Sequence, residues 1–152
     1  MLVKREFRTD SGGPGKYRGG LGHWLVVRGV EEGKQVRLSP FFDRTQYPAR
    51  GYQGGQPGAA GVYSLDDGRR PNPKATVYVD GGVDIVMGLP GGGGFYDPLE
   101  RDPEAVRADV RDELVSPERA LEDYGVVLDA AFNVDTDATE RTRAARRGGQ
   151  TE

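Results

Sequence analysis

Glycine is unevenly spread along this chain, crowding into "DSGGPGKYRGGLG" at residues 10–22, "YPARGYQGGQPGAAG" at residues 47–61 and "LPGGGGFYDPLERDP" at residues 89–103. Each glycine loses more backbone freedom on folding than any other residue, and brings no side chain to offset the loss. The chain has 24 glycines and 10 prolines against an apolar fraction of 36%, with no collagen-like period, so much of it must be turns. At 152 residues it has the length of one domain, able to bury roughly two thirds of its unfolded surface. These terms predict a soluble but weakly stable chain that gains stability by docking on a partner.

Between the glycine clusters the pattern is that of short strands. "LVKREF" alternates at period two, and "HWLVVRGV" and "KQVRLSPFF" are β-branched or aromatic runs bounded by glycine or proline. "EEG" at residues 31–33 joins the latter two at hairpin length, with Gly33 free to take positive φ. "VYSL", "ATVYV" and "VDIVMGL", separated by "DDG" and "DGG", read as further antiparallel strands. After Asp97-Pro98 the texture turns helical. Asp102-Pro103 and Ser116-Pro117 are helix starts, and Val106, Val110 and Leu114 form one apolar stripe with Asp109 and Arg111 turned away. "YGVVL" reads as a short buried strand, and "DTDATERTRAARR" as a last helix with Asp137 and Glu140 at capping-box spacing. The expected fold is mainly β or α+β. An antiparallel β-rich body with glycine loops spans residues 1–98, a small helical part of the same domain spans 99–147, and 148–152 form a frayed tail.

The composition excludes much chemistry. Without cysteine there are no disulfides, thiolate zinc sites or cysteine nucleophiles, and the single histidine, His23, leaves no histidine cluster for a metal. His23 reads as a hydrogen-bonded structural residue at the head of a strand. A net charge of −3 offers no basis for a nucleic-acid surface. No apolar run approaches a membrane span, and the first residues lack the apolar core of a secretory signal, so the chain is expected in the cytoplasm. The first glycine cluster fails as a phosphate loop: Lys16 is followed by Tyr17 rather than Ser or Thr, and a strand pattern rather than a helix follows Gly22. The four glycines at 91–94 lack the strand before and the acidic residue beyond that a dinucleotide site needs, and read instead as a close backbone crossing. The carboxylate groups Asp66/Asp67, Asp109/Asp112/Glu113 and Asp135/Asp137 read as solvated charges and caps. In the first loop Asp10 is expected to close an Asx-turn. Arg18 is expected to make a bidentate pair with a neighbouring chain's carboxylate or with Asp10, making the loop an interface element.

"REFRTDSGGPGKYRGGLG", "LPGGGGFYDPLERDPEAVRADV" and "VSPERALEDYGVVLD" together resemble the C-terminal region of the hydantoinase B family, whose relatives include 5-oxoprolinase and the large subunits of acetone and acetophenone carboxylases. The resemblance runs from Arg5 to about Arg147, in the family's order. It implies part of an ATP-dependent system that hydrolyses a cyclic amide such as hydantoin, 5-oxoproline or another lactam. An A-type chain would bind ATP and activate the amide oxygen by phosphorylation, and a B-type chain would carry a divalent metal site. The alternatives are a subunit of a carboxylase-like complex acting on a ketone, or a non-catalytic assembly module of either. The family's metal and catalytic residues lie in an N-terminal portion that this sequence does not contain, so no ATP, metal or other cofactor is expected on this chain alone. It would act in a hetero-oligomer with a B-type N-terminal catalytic chain and an A-type chain, and be inactive by itself. Asp10, Arg18 and His23 are the residues of this chain that could reach a substrate.

Overall fold

The computed structural model describes residues 1–149, and its element order follows the change of texture along the chain. β1 (Leu2–Phe7), β2 (His23–Arg28), β6 (Asp84–Gly88) and β4 (Val62–Leu65) form an antiparallel sheet in the order β1-β2-β6-β4. β3 (Gln35–Leu38) pairs antiparallel with β5 (Val77–Asp80) as a second, two-stranded sheet. A 3-10 turn at Pro98–Glu100 leads to α1 (Pro103–Arg111), α2 (Pro117–Tyr124) and α3 (Thr136–Gly148). The fold is α+β. No described helix is long and apolar enough to cross a membrane.

Two apolar cores are separate. One lies between the sheets, where Tyr63, Leu65 and Ile85 of the larger sheet meet Val79 of the smaller. The other holds the helices together through Val106, Val110, Val115, Ala120, Tyr124 and Val126. The turns do not close the hairpins that their lengths suggest. β2 has both edges occupied, by β1 and β6, so the Glu31-Glu32-Gly33 turn instead carries the chain across to the second sheet. Gly33 does take positive φ, at 74°. Likewise β5, which follows one turn and precedes the other, pairs with neither β4 nor β6.

Helix starts behave as their residue types dictate. Asp102 accepts from the Glu104 amide at 3.0 Å and Ser116 from the Arg119 amide at 3.2 Å, each with proline at the first helical position. The third helix is capped by Asp135, which accepts from the Ala138 amide at 2.9 Å, so the Asp137/Glu140 box does not form. α1 ends at Arg111, which leaves Leu114 beyond the helix. The expected strand at Tyr124-Gly125-Val126-Val127-Leu128 is absent. Tyr124 ends α2, Gly125 caps it in the left-handed region at φ 63°, and the rest runs irregularly with one bridge from Leu128 to Val134. Helices surround that segment, and the Val127 amide finds the Thr139 hydroxyl at 3.0 Å instead of a sheet edge. Gly148 is the last residue of α3 and Gly149 its cap; the rest of the expected frayed tail, 150–152, lies outside the described residues.

The glycine clusters form neither core. Segments 11–22, 49–60 and 89–96 run together and bond backbone to backbone in all three pairings: Gly13 N–H to Gly92 O at 2.8 Å, Gln56 N–H to Pro14 O at 2.7 Å, and Gly94 N–H to Gln56 O at 2.9 Å. Three segments in a flat sheet have two pairings, so bonding in all three requires a triangular cross-section, as in the collagen arrangement where only glycine fits the crowded axis. A Cβ added to Gly91 would overlap the Ser11 carbonyl, and one added to Gly94 the Pro14 carbonyl. Glycine is required here for close approach, because peptide groups occupy the space a side chain would need.

Candidate functional site

Where the glycine lattice meets the helical end, Arg18 projects from the first glycine segment and donates to Asp109 of α1 through Nε at 3.1 Å and Nη2 at 3.2 Å. Arg101 adds a third bond to the same carboxylate at 2.9 Å and donates to the Lys16 carbonyl at 3.1 Å. Asp109 is 7% exposed. This corrects the expectation that it is solvated on an outward face. It follows the stripe residue Val106 by three positions, and the helix turns that position inward toward the arginines. Arg18 therefore finds a bidentate partner within its own chain, in Asp109 rather than in Asp10.

Tyr124 packs in the same junction, 1% exposed, and neither its hydroxyl nor the buried Nε of Arg101 has a hydrogen-bond partner. Burial pushes the Tyr124 phenol up to about 12, against the pull of the Arg101 and Arg18 charges. Arg143 staples the junction from α3, donating to the Tyr124 carbonyl at 2.9 Å and the Arg101 carbonyl at 2.8 Å.

Asp10 takes the left-handed conformation, φ 60°, which a short polar side chain tolerates. It does not close an Asx-turn. Its carboxylate accepts from the Ser116 amide at 2.8 Å, 106 residues away, while its own amide donates to the Leu114 carbonyl at 3.1 Å. Asp10 and Arg18 thus serve one junction, Asp10 at the start of α2 and Arg18 on α1. His23 stands apart at the head of β2, its ring 4.9 Å from that of Phe7, and shares no hydrogen-bond partner with the other two.

The amides of the first glycine loop are largely committed. Those of Gly13, Lys16, Tyr17 and Gly19 donate to backbone carbonyls, and that of Gly22 to the Ser11 hydroxyl at 2.8 Å. A phosphate cradle needs such amides free and convergent. Among the described residues, no three His, Asp or Glu side chains are grouped as a metal-binding set. Beside these segments Tyr17, Tyr52, Phe95 and Tyr96 cluster, with Phe95 stacked on Tyr52 at 5.8 Å and tilted against Tyr96 at 4.0 Å. The sequence shows these rings only as scattered members of three loops. Asp109 was in principle visible, as a carboxylate beside the apolar stripe. The junction's chemistry is charge-assisted hydrogen bonding between fixed groups, with no nucleophile held against a base.

The hydantoinase B/oxoprolinase family model matches residues 1–98. An uncharacterized protein of Methanocaldococcus jannaschii is 37% identical over 94% of this chain and 26% of its own length. The B-type component of a putative D-/L-hydantoinase from Pseudomonas sp. (strain NS671) is 32% identical over 91% of this chain and 24% of its own. Among solved structures, the ATP-dependent caprolactamase from Pseudomonas jessenii superposes with a TM-score of 0.78 at 30% identity, covering 95% of this chain and 26% of that one. The chain spans about a quarter of the length of the relatives it matches.

Proposed function

The chain belongs to the hydantoinase B/oxoprolinase family, and from that premise we propose that it is the C-terminal portion of a B-type subunit in an ATP-dependent cyclic-amide hydrolase. The observation that carries the reading is the match to the caprolactamase structure along nearly all of this chain, glycine lattice and helical end together. The substrate class is a hydantoin, 5-oxoproline or another lactam. ATP belongs to an A-type chain and the divalent metal to the rest of the B-type subunit. Among the described residues no donor set is grouped for a metal, and the junction carboxylates Asp109 and Asp10 are held by arginines and by a backbone amide.

An unstrained amide resists hydrolysis, and phosphorylation of its oxygen by the A-type chain lowers that barrier. This chain's part is to hold shape. The lattice is cross-linked by peptide hydrogen bonds, and the Arg18–Asp109–Arg101 cluster fixes the helical end upon it. Any group of this chain that touches substrate would be held to the narrow tolerance that catalysis needs.

The test is reconstitution with the remainder of the B-type subunit and the A-type chain, followed by ring opening of hydantoin, 5-oxoproline and caprolactam with and without ATP. Ring opening that requires ATP and all chains is the expected result. Replacing Asp10, Arg18 and His23 singly, and comparing turnover with assembly, separates a catalytic contact from a docking role. Bicarbonate-dependent ATP use with a ketone, and no ring opening, would replace this reading by the carboxylase one.

A further inference from the structure

Opposed residues in an antiparallel sheet present their side chains on one face. The registers of the larger sheet therefore align Lys4, Val26, Val86 and Ser64 in one row, and Glu6, Trp24, Gly88 and Val62 in the next. Gly88 keeps the second row flat: a Cβ there would lie 2.7 Å from Cζ3 of the Trp24 indole. Trp24, Val26, Val62 and Val86 belong to neither apolar core. Val62 is 44% exposed, and all six residues of β1 are exposed.

Charged groups surround this apolar strip in balance. Lys4 pairs with Glu6 at 2.7 Å on one side, Arg28 with Asp84 at 2.5 and 2.7 Å on another, and Arg8 lies 5.1 Å over the Trp24 ring. An apolar centre with tryptophan and arginine anchors inside a polar rim is the anatomy of a protein–protein interface. The near-neutral rim suits an apolar partner surface without strong net charge. In the relatives, the matching segment belongs to a chain about four times as long, so some surface of this unit must carry the rest.

We infer that the Trp24–Val26–Val86–Val62 face is the seat of the remainder of the B-type subunit, which lays an apolar, near-neutral face across it. This rests on the family reading above. Trp24 is the chain's single tryptophan, so 5-fluorotryptophan gives one fluorine resonance at the centre of the face. Adding the remainder of the B-type subunit should shift that resonance and abolish its H2O/D2O isotope effect. An unchanged resonance while the chains co-elute would overturn the inference. So would the same change in this chain alone on raising its concentration, which would assign the face to a second copy.

Val86→Lys should weaken association at least tenfold. Val62→Lys, at a position already 44% exposed, keeps the test valid should Val86→Lys fail to fold. Val36→Lys on β3, 40% exposed on the other sheet, should leave association unchanged. Full-strength association of a folded Val62→Lys chain would overturn the assignment. The two readings fail separately. A complex that forms through Trp24 but opens no ring keeps the seat and refutes the activity, whereas an active complex with an unchanged Trp24 resonance does the reverse.

Discussion

In the glycine lattice the groups that touch are peptides, whereas in the helical end they are side chains: Val106, Val110, Ala120 and Tyr124 fill the space between helices. Both regions order loop-rich chain, and both are fastened to each other by Arg18 and Asp10. They differ in what they can absorb. A side-chain core tolerates volume-conserving swaps at less than about 1.5 kcal/mol, because rotamers readjust. Where backbones are in contact there is no rotamer to move, so at those positions, such as Gly91 and Gly94, the tolerance for added atoms is close to nil. The lattice exchanges hydrophobic burial for rigidity. It suits a unit whose proposed role is to hold a partner's chemistry in place.

The largest effect should come from one methyl group in the lattice. Gly91→Ala forces a Cβ against the Ser11 carbonyl, and the expected loss, about 5 kcal/mol or more, is comparable to the whole stability of a marginal domain. Gly20→Ala meets open space and should change stability by about 0.5 kcal/mol or less in either direction. Thermal unfolding of the two variants decides the matter. Equal melting temperatures would mean that the segments are not packed by backbone contact.

The seam between the regions comes next. Asp109→Ala strands two guanidinium groups whose side chains are 15% and 16% exposed, and should cost about 3 to 5 kcal/mol, measured by denaturant unfolding. If the cluster acts as a unit, the double variant Arg18→Ala/Asp109→Ala should lose less than the sum of the singles. Additive losses would show that Arg18 contributes nothing through Asp109.

Tyr124 gives the smallest and most selective effect. Its phenol titrates at about 12 in the folded chain against 10.0 ordinarily, so the folded state holds the proton more tightly. Stability is therefore undiminished by this group below pH 10 and falls as pH rises from 10 through 12, by on the order of 2 to 3 kcal/mol in all, because the buried site resists the phenolate. Tyr124→Phe should therefore flatten the alkaline limb of the stability profile. At neutral pH it should be nearly neutral or slightly stabilising, since the hydroxyl it removes is buried without a partner. An alkaline limb identical in both proteins would place the titration elsewhere.

How the chain divides into strands and helices was legible because the signals are local. Asp102-Pro103 and Ser116-Pro117 start helices because runs of Ala, Glu and Arg follow them, and the β-branched and aromatic run "HWLVVR" suits a sheet. Pairing was not legible. The turn at Gly33 has the conformation its residue type suggests, yet it joins two sheets, because β6 arrives from 56 positions along the chain to take the edge that β3 would have used. At the junction, the bidentate habit of Arg18 follows from its guanidinium, but its partner lies 91 residues away and could not be read from spacing. Asp10 likewise had an acceptor's chemistry without a visible donor.

The glycine clusters set out the division most clearly. Their composition alone dictates that these segments gain little from side-chain burial and cannot be ordinary helices or strands, since a residue without a side chain has neither an apolar face nor a rotamer to fix. The segments that carry the family resemblance are likewise written in the chain, from Arg5 onward. That three such segments lie in mutual contact, each bonded to both others, was decided only by the folded chain. A glycine permits close approach from every direction equally and so names no partner; the partner is chosen by the sheet and the Asp109 cluster, which bring residues 11–22, 49–60 and 89–96 to one axis.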